Sequence, residues 1–144
     1  MSTDPDDLRI SSDVLLGSYQ FGPTQIIDVE FDLEVEKPKF DDFSTLLQSA
    51  GNVLGKLTQQ KLSELQSQIA KELTDAAYID MEAEIRHQDQ QVLKAQLCLY
   101  KICFFIEDVT SLIFIAQMDY PDLWIYCQIN SAYEIEDIEV SEPR

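Results

Sequence analysis

Residues 27–36, IDVEFDLEVE, alternate without a break between apolar and carboxylate side chains. Successive side chains of a strand point to opposite faces. The stretch therefore predicts a β-strand with Ile27, Val29, Phe31, Leu33 and Val35 on one face and Asp28, Glu30, Asp32, Glu34 and Glu36 on the other. Wound as a helix, the same residues would scatter both sets around the surface. Lys37-Pro38 ends the strand, because proline has no N–H for the ladder. Upstream, Val14–Phe21 (VLLGSYQF) reads as a partner strand, and Gly22-Pro23-Thr24 reads as the turn of a hairpin.

Downstream the period changes. Asp41, Asp42 or Ser44 can open a helix. Leu46, Leu47, Ala50, Val53, Leu54 and Leu57 then recur at three- and four-residue spacing, as do Leu62, Leu65, Ile69, Leu73 and Ala76. Gly51 and Gly55 weaken the first stripe by roughly 1 kcal/mol each relative to alanine. Thr58 offers a second cap after a break near residues 56–60. The region 42–78 is thus either one long bent helix or two consecutive helices. Residues 79–95 are ambiguous. Met81, Ala83, Ile85 and His87 alternate with Glu82, Glu84, Arg86 and Gln88, which favours an extended segment followed by a short helical turn near 90–95.

The last third returns to strand chemistry. Apolar runs at 97–106, 112–118, 123–129 and 133–140 are separated by turn residues at 108–111 and 119–122. A hairpin, helix and antiparallel meander imply an α+β fold with the meander packed on the helix. Residues 1–12, with Asp4, Asp6 and Asp7 around Pro5, read as a flexible acidic lead-in. Residues 13–140 read as one domain and 141–144 as a tail.

With 144 residues, the chain is long enough to bury a core without disulfides or metal. Hydrophobic residues make up 45% of it, more than a disordered acidic chain carries. Ten basic residues stand against 27 acidic ones, a formal net charge of −17. Nucleic acid and anionic membranes repel such a surface, whereas a basic protein is drawn to it. The cysteines, Cys98, Cys103 and Cys127, are odd in number and lie in apolar runs, so they read as buried free thiols rather than a disulfide or zinc framework. The polar acidic N-terminus does not read as a signal peptide, and no run is apolar enough to span a membrane. A cytoplasmic location is expected.

Groups for catalysis are scarce. His87 is the only histidine and lies in a charged stretch. No glycine-rich phosphate loop and no spaced Cys/His cluster is present. Asp119 with Asp122, and Glu107 with Asp108, read as turn-forming acids, since neither stretch has a calcium-loop pattern. The carboxylates alternate in the open, without the apolar walls that raise the pKa of a catalytic acid. The expectation is a protein that is not an enzyme and takes no cofactor or metal.

Neighbouring carboxylates on one strand face lie ~7 Å apart and repel one another. The partner strand Val14–Phe21 has no lysine or arginine, so relief has to come from a strand carrying Lys101 or Arg86. The acidic row can be a solvated face, a charge that blocks edge-to-edge aggregation, or a docking surface. A second acidic patch supports docking. It holds Glu134, Glu136, Asp137 and Glu139 around Tyr133, with Tyr120, Trp124 and Tyr126 as candidate aromatic anchors.

The layout resembles that of bacterial immunity proteins of contact-dependent inhibition and other polymorphic toxin systems. The segments GSYQFGPTQIIDVEFDLEVE (residues 17–36) and DYPDLWIYCQINSAYEIEDIEV (residues 119–140) carry the resemblance, which shares no motif residues. It implies a chain that blocks a toxin domain, commonly a basic nuclease, by direct binding. An acidic secretion chaperone and a nucleic-acid mimic that occupies a DNA-binding protein are the alternatives.

Overall fold

A computed structural model of the chain describes residues 5–21, 23, 25–77 and 83–143. Among these residues, seven strands form one sheet in sequence order. They are β1 (Asp6–Ser11), β2 (Val14–Phe21), β3 (Gln25–Asp32), β4 (Cys98–Phe105), β5 (Thr110–Ile115), β6 (Trp124–Ile129) and β7 (Ile135–Ser141). Every neighbouring pair is antiparallel except β3 and β4, which are parallel. A parallel neighbour cannot be reached by a tight turn. The chain makes that crossing through a 3-10 turn at Phe40–Phe43 and three helices, α1 (Ser44–Lys56), α2 (Gln59–Ala77) and α3 (Ala83–Gln96). The result is an α+β fold with helices on one face of a mixed sheet.

The alternation of β2 and β3 sets which face the helices cover. Leu15, Tyr19 and Phe21 of β2 and Ile27, Val29 and Phe31 of β3 are buried. They share one core with Phe43, Ala50 and Leu54, with Leu65 and Ile69 of α2, with Leu93 of α3, and with Ile102, Leu112, Phe114, Ile125 and Ile129 of the meander. Gly17 sits in this face because β1 crosses close to it. A Cβ there would lie 2.8 Å from Leu8 Cδ2 and 2.9 Å from the Asp6 carbonyl. At the centre, Phe31 and Phe104 stand opposite each other on β3 and β4, with rings stacked at 5.1 Å.

The hairpin of β2 and β3 is present, although Gly22 and Thr24 of its turn lie outside the described residues. Region 42–78 resolves into two consecutive helices. The hydroxyl of Thr58 accepts from the Lys61 N–H at 3.1 Å and starts α2, and the α1 entry uses Asp42, which accepts from the Lys39 N–H at 2.8 Å.

Four expectations need correction. Cys98 is exposed, whereas Cys103 and Cys127 are buried free thiols. The lead-in is not all flexible, because Asp6–Ser11 pairs with β2 as an edge strand. The stretch read as extended is helical from Ala83 to Gln96; residues 78–82, Met81 among them, lie outside the described set. The strand read over 27–36 ends at Asp32. There the Asp32 carboxylate accepts from the Glu34 N–H at 2.7 Å and turns the chain, with Glu34 at φ 60°. Val35 is consequently 52% exposed rather than in the core.

The stacked pair at the β3–β4 joint gives a direct check of this packing. Replacing Phe104 with alanine should cost about 3–5 kcal/mol of unfolding free energy in urea. A loss below about 1 kcal/mol would show that the two halves of the sheet do not depend on this contact.

Candidate functional site

The second face of the sheet carries a groove of about 270 Å³, and every residue lining it belongs to a strand. The strand registers arrange this face in two rows. One runs Asp28, Lys101, Ile113, Tyr126, Glu139 from β3 to β7. The other runs Glu30, Cys103, Ser111, Gln128, Asp137. Each row begins and ends in a carboxylate. Four strand spacings of ~4.8 Å place the two acidic walls ~19 Å apart.

The floor between the walls is apolar and aromatic. Ile113 is 2% exposed despite facing away from the helices. Tyr100, Trp124 and Tyr126 form a partly exposed aromatic group, with ring centroids 5.5 Å apart for Tyr100–Trp124 and 6.0 Å for Trp124–Tyr126. Trp124 and Tyr126 are alternate residues of β6, so both project to this face.

The β3 wall holds its own cation. Lys101 Nζ donates to Glu30 Oε1 at 3.0 Å, with the two side chains 19% and 23% exposed. Burial pulls the Lys101 pKa down. The hydrogen bond and charge of Glu30 outweigh it, with smaller help from Cys103 and Asp28, and hold the ammonium above its ordinary value. An exposed pair contributes ~0–1 kcal/mol, and breaking a fully buried one costs ~3–5 kcal/mol. This half-covered pair falls between those limits, so it fixes the joint without dominating stability.

The Cys103 thiol lies 3.9 Å from Glu30 Oε2. A cysteine, a lysine and a glutamate therefore meet at one end of the groove, a set that can support nucleophilic thiol chemistry when the thiol is ionised. Here it is not. Burial, and then the charge of Glu30, push Cys103 up to about 12, and the opposing pull of Lys101 does not reverse this. A thiol protonated at neutral pH is a poor nucleophile.

Of the sequence-predicted residues, the face brings together Asp28, Glu30, Asp32, Asp137, Glu139, Trp124 and Tyr126. It does not gather the rest. Glu34 and Glu36 lie beyond the end of β3. Tyr120 and Tyr133 pack against the helix-side core, and burial raises the Tyr133 pKa. Glu134 lies in the β6–β7 turn, where its N–H donates to Asn130 Oδ1 at 3.1 Å. Glu136 is exposed at a register shift between β6 and β7. His87 is exposed on α3. The turn acids behave locally. Asp119 is clasped by Gln96 through two hydrogen bonds of 3.0 and 3.1 Å, and Glu107 and Asp108 both adopt left-handed φ in the β4–β5 hairpin turn. Among the described residues, no group of three or more His, Cys, Asp or Glu is placed to hold a metal ion.

The sequence does not mark Tyr100, Phe105, Ser111, Ile113 and Gln128 as residues of this face, and Cys103 reads there only as a buried thiol. A signal for them existed. Ile102, Cys103 and Phe104 of β4, and Leu112, Ile113 and Phe114 of β5, are apolar runs without alternation and are buried throughout. Such runs mark strands covered on both faces and are the pattern that signals an apolar centre to the second face.

No family model, curated protein or solved structure matches the chain. No helix among the described residues is long and apolar enough to cross a membrane.

The thiols make stability depend on alkaline pH. Burial pushes Cys103 and Cys127 up to about 12 from 9.0, Cys127 with added help from Glu72 and Asp137. A folded-state pKa raised above the unfolded one stabilises the fold fully below about pH 9, and the contribution is lost as pH rises toward 12. Urea unfolding at intervals from pH 8 to 11 should show falling stability, with a shallower decline in Cys103→Ala and Cys127→Ala. Parallel declines in the variants and the parent would contradict the assignment.

Proposed function

We propose that this chain is a non-catalytic binding protein that captures a basic protein on the second face of its sheet, and that the partner is a toxin domain which it neutralises. The observation that carries the reading is the pair of carboxylate walls flanking an aromatic floor on a face lined only by strands. From β3 to β7, five carboxylates, Asp28, Glu30, Asp32, Asp137 and Glu139, share that face with Lys101; on β1, Asp6 and Arg9 continue the two rows beyond Ser18 and Leu16. Apolar centres with charged rims are how protein interfaces are built, the aromatics giving affinity and the rim steering approach. The protonated Cys103 thiol favours binding over covalent catalysis at the same place. The toxin assignment extends this through the resemblance to immunity proteins in layout and acidity.

Size fits a docking role. A face ~19 Å wide and ~20 Å along the strands offers roughly 400 Å², about half the ~800 Å² that each partner contributes to a standard interface. The remainder falls on the flanking turns and on β1 and β2.

Co-expression with the protein encoded next to it should relieve that protein's toxicity and yield a complex at low salt. No relief and no complex would overturn the reading. Serine at Asp28, Asp137 and Glu139 together, leaving Asp32 in its turn and the Glu30–Lys101 pair intact, should leave the fold unchanged. It should also slow association about 10–100-fold and flatten its salt dependence. Unchanged association would place the contact elsewhere.

A further inference from the structure

We infer that a charge-free strip across one end of the strand-lined face seats the apolar side of a basic amphipathic helix of the partner; this rests on the docking reading above and specifies the form of the contact. The two rows already described carry the charges of that face. One step further along the strands, toward the start of β3, the character changes. Ile26 precedes Asp28 by two positions on β3 and so shares its face, opposite Gln20 of β2. Next in line, Cys98 of β4 stands opposite Ile115 of β5. Tyr100 reaches across β5 to Trp124 of β6, with ring centroids 5.5 Å apart. From β2 to β6 these positions hold no charged residue. Ile26 is 72% exposed and Tyr100 42%, and no other large apolar side chain of a described strand is as exposed as Ile26. Single exposed apolar residues are ordinary. A continuous line of them beside an acidic surface marks a contact site.

Area and charge select the occupant. Three strand spacings separate β3 from β6, so the apolar line is ~14 Å long and ~7 Å wide, roughly 100 Å². A stable interface takes ~800 Å² from each partner. A second copy of the chain, itself at a net charge of −17, cannot extend the contact over the acidic rows. A basic partner can. Asp28 lies one row from Ile26, ~7 Å away, and Asp137 lies two rows from Ser141, which stands opposite Trp124, ~14 Å away. Both carboxylates are exposed. Spacing then selects a helix. The line runs across the strands, so its side chains recur every ~4.8 Å. Apolar residues on one side of a helix recur once a turn, every ~5.4 Å, whereas an extended segment presents them every ~7 Å. Three helical turns cover the line, and basic side chains on the flank of that helix reach the first acidic row.

Trp124 is the only tryptophan of the chain, so its emission reports on the strip directly. The probes are three acetylated, amidated peptides of equal charge, titrated into the full chain at low salt. One has helical period (LKKLLKKLLKKLLK), one has the same composition in strict alternation (LKLKLKLKLKLKLK), and one replaces every leucine of the first with serine. The helical-period peptide should shift Trp124 emission to the blue. It should also bind at least 10-fold more tightly than the serine peptide and at least 5-fold more tightly than the alternating one. The double variant Ile26→Thr, Tyr100→Thr changes two exposed strand positions, and its thermal unfolding checks that the fold is kept. It should bring the helical-period peptide down to the affinity of the serine peptide, and Ile26→Thr alone should weaken it at least 3-fold. Three outcomes would each overturn the helix site and leave the acidic docking surface standing: a helical-period peptide that binds no tighter than the serine peptide, an alternating peptide that binds as tightly, or a preference that survives the double variant. Binding of none of the three peptides would overturn both.

Discussion

The parallel pairing of β3 with β4 is the constraint on which the rest of the molecule depends. A chain leaving β3 at Asp32 must return to the opposite end of the sheet before β4 can run beside it. Three helices fill that return, and their apolar stripes pack on the face presented by Val29, Phe31, Ile102 and Phe104. The same pairing joins a three-stranded N-terminal unit to the C-terminal meander and stacks Phe31 on Phe104. It also sets Lys101 opposite Asp28 and within 3.0 Å of Glu30. One of the three carboxylates of the acidic strand is thus paired from 71 residues away in sequence, by a neighbour that the hairpin does not supply.

Where local pattern and local pairing agreed, the fold was legible. Val14–Phe21 reads as a strand because its alternate residues bury, and Thr58 reads as a cap because its side-chain oxygen can accept from a first-turn N–H of α2. The meander was legible from its apolar runs and turns. The end of β3 was not. Alternation continues to Glu36, but a ladder needs partners, and both neighbours stop. Ser12 and Asp13 turn the chain with φ of 51° and 68° just before β2, and β4 ends opposite Asp32 at Phe105. The carboxylate row is therefore three long in the sheet. Lys37, whose N–H donates to Asp13 at 3.1 Å, belongs to the turn beyond.

Two elements were hidden for opposite reasons. β1 has no alternation to show, since it is an exposed edge strand held by β2 and admitted by the bare Cα of Gly17. Segment α3 alternates at its start, yet Glu, Gln, Ala and Lys favour helix there, and the helix brings Leu93 and Leu97 into the core four residues apart. The site divides the same way. Its carboxylates and its two β6 aromatics were visible as residues. That Asp137 and Glu139 face Asp28 and Glu30 across ~19 Å depends on strand order, which no local pattern encodes. The apolar floor between them was encoded, in the unbroken runs of β4 and β5.

The central claim is that this strand-lined face, rather than the helical layer, receives a basic protein. Amide chemical-shift mapping of the isotope-labelled chain in complex with its captured partner tests it most directly. The account predicts the largest changes at Asp28, Glu30, Trp124, Tyr126, Asp137 and Glu139, with the exposed sides of α2 and α3 unmoved. Changes concentrated on the helices, with the Trp124 and Asp137 amides unperturbed, would contradict it.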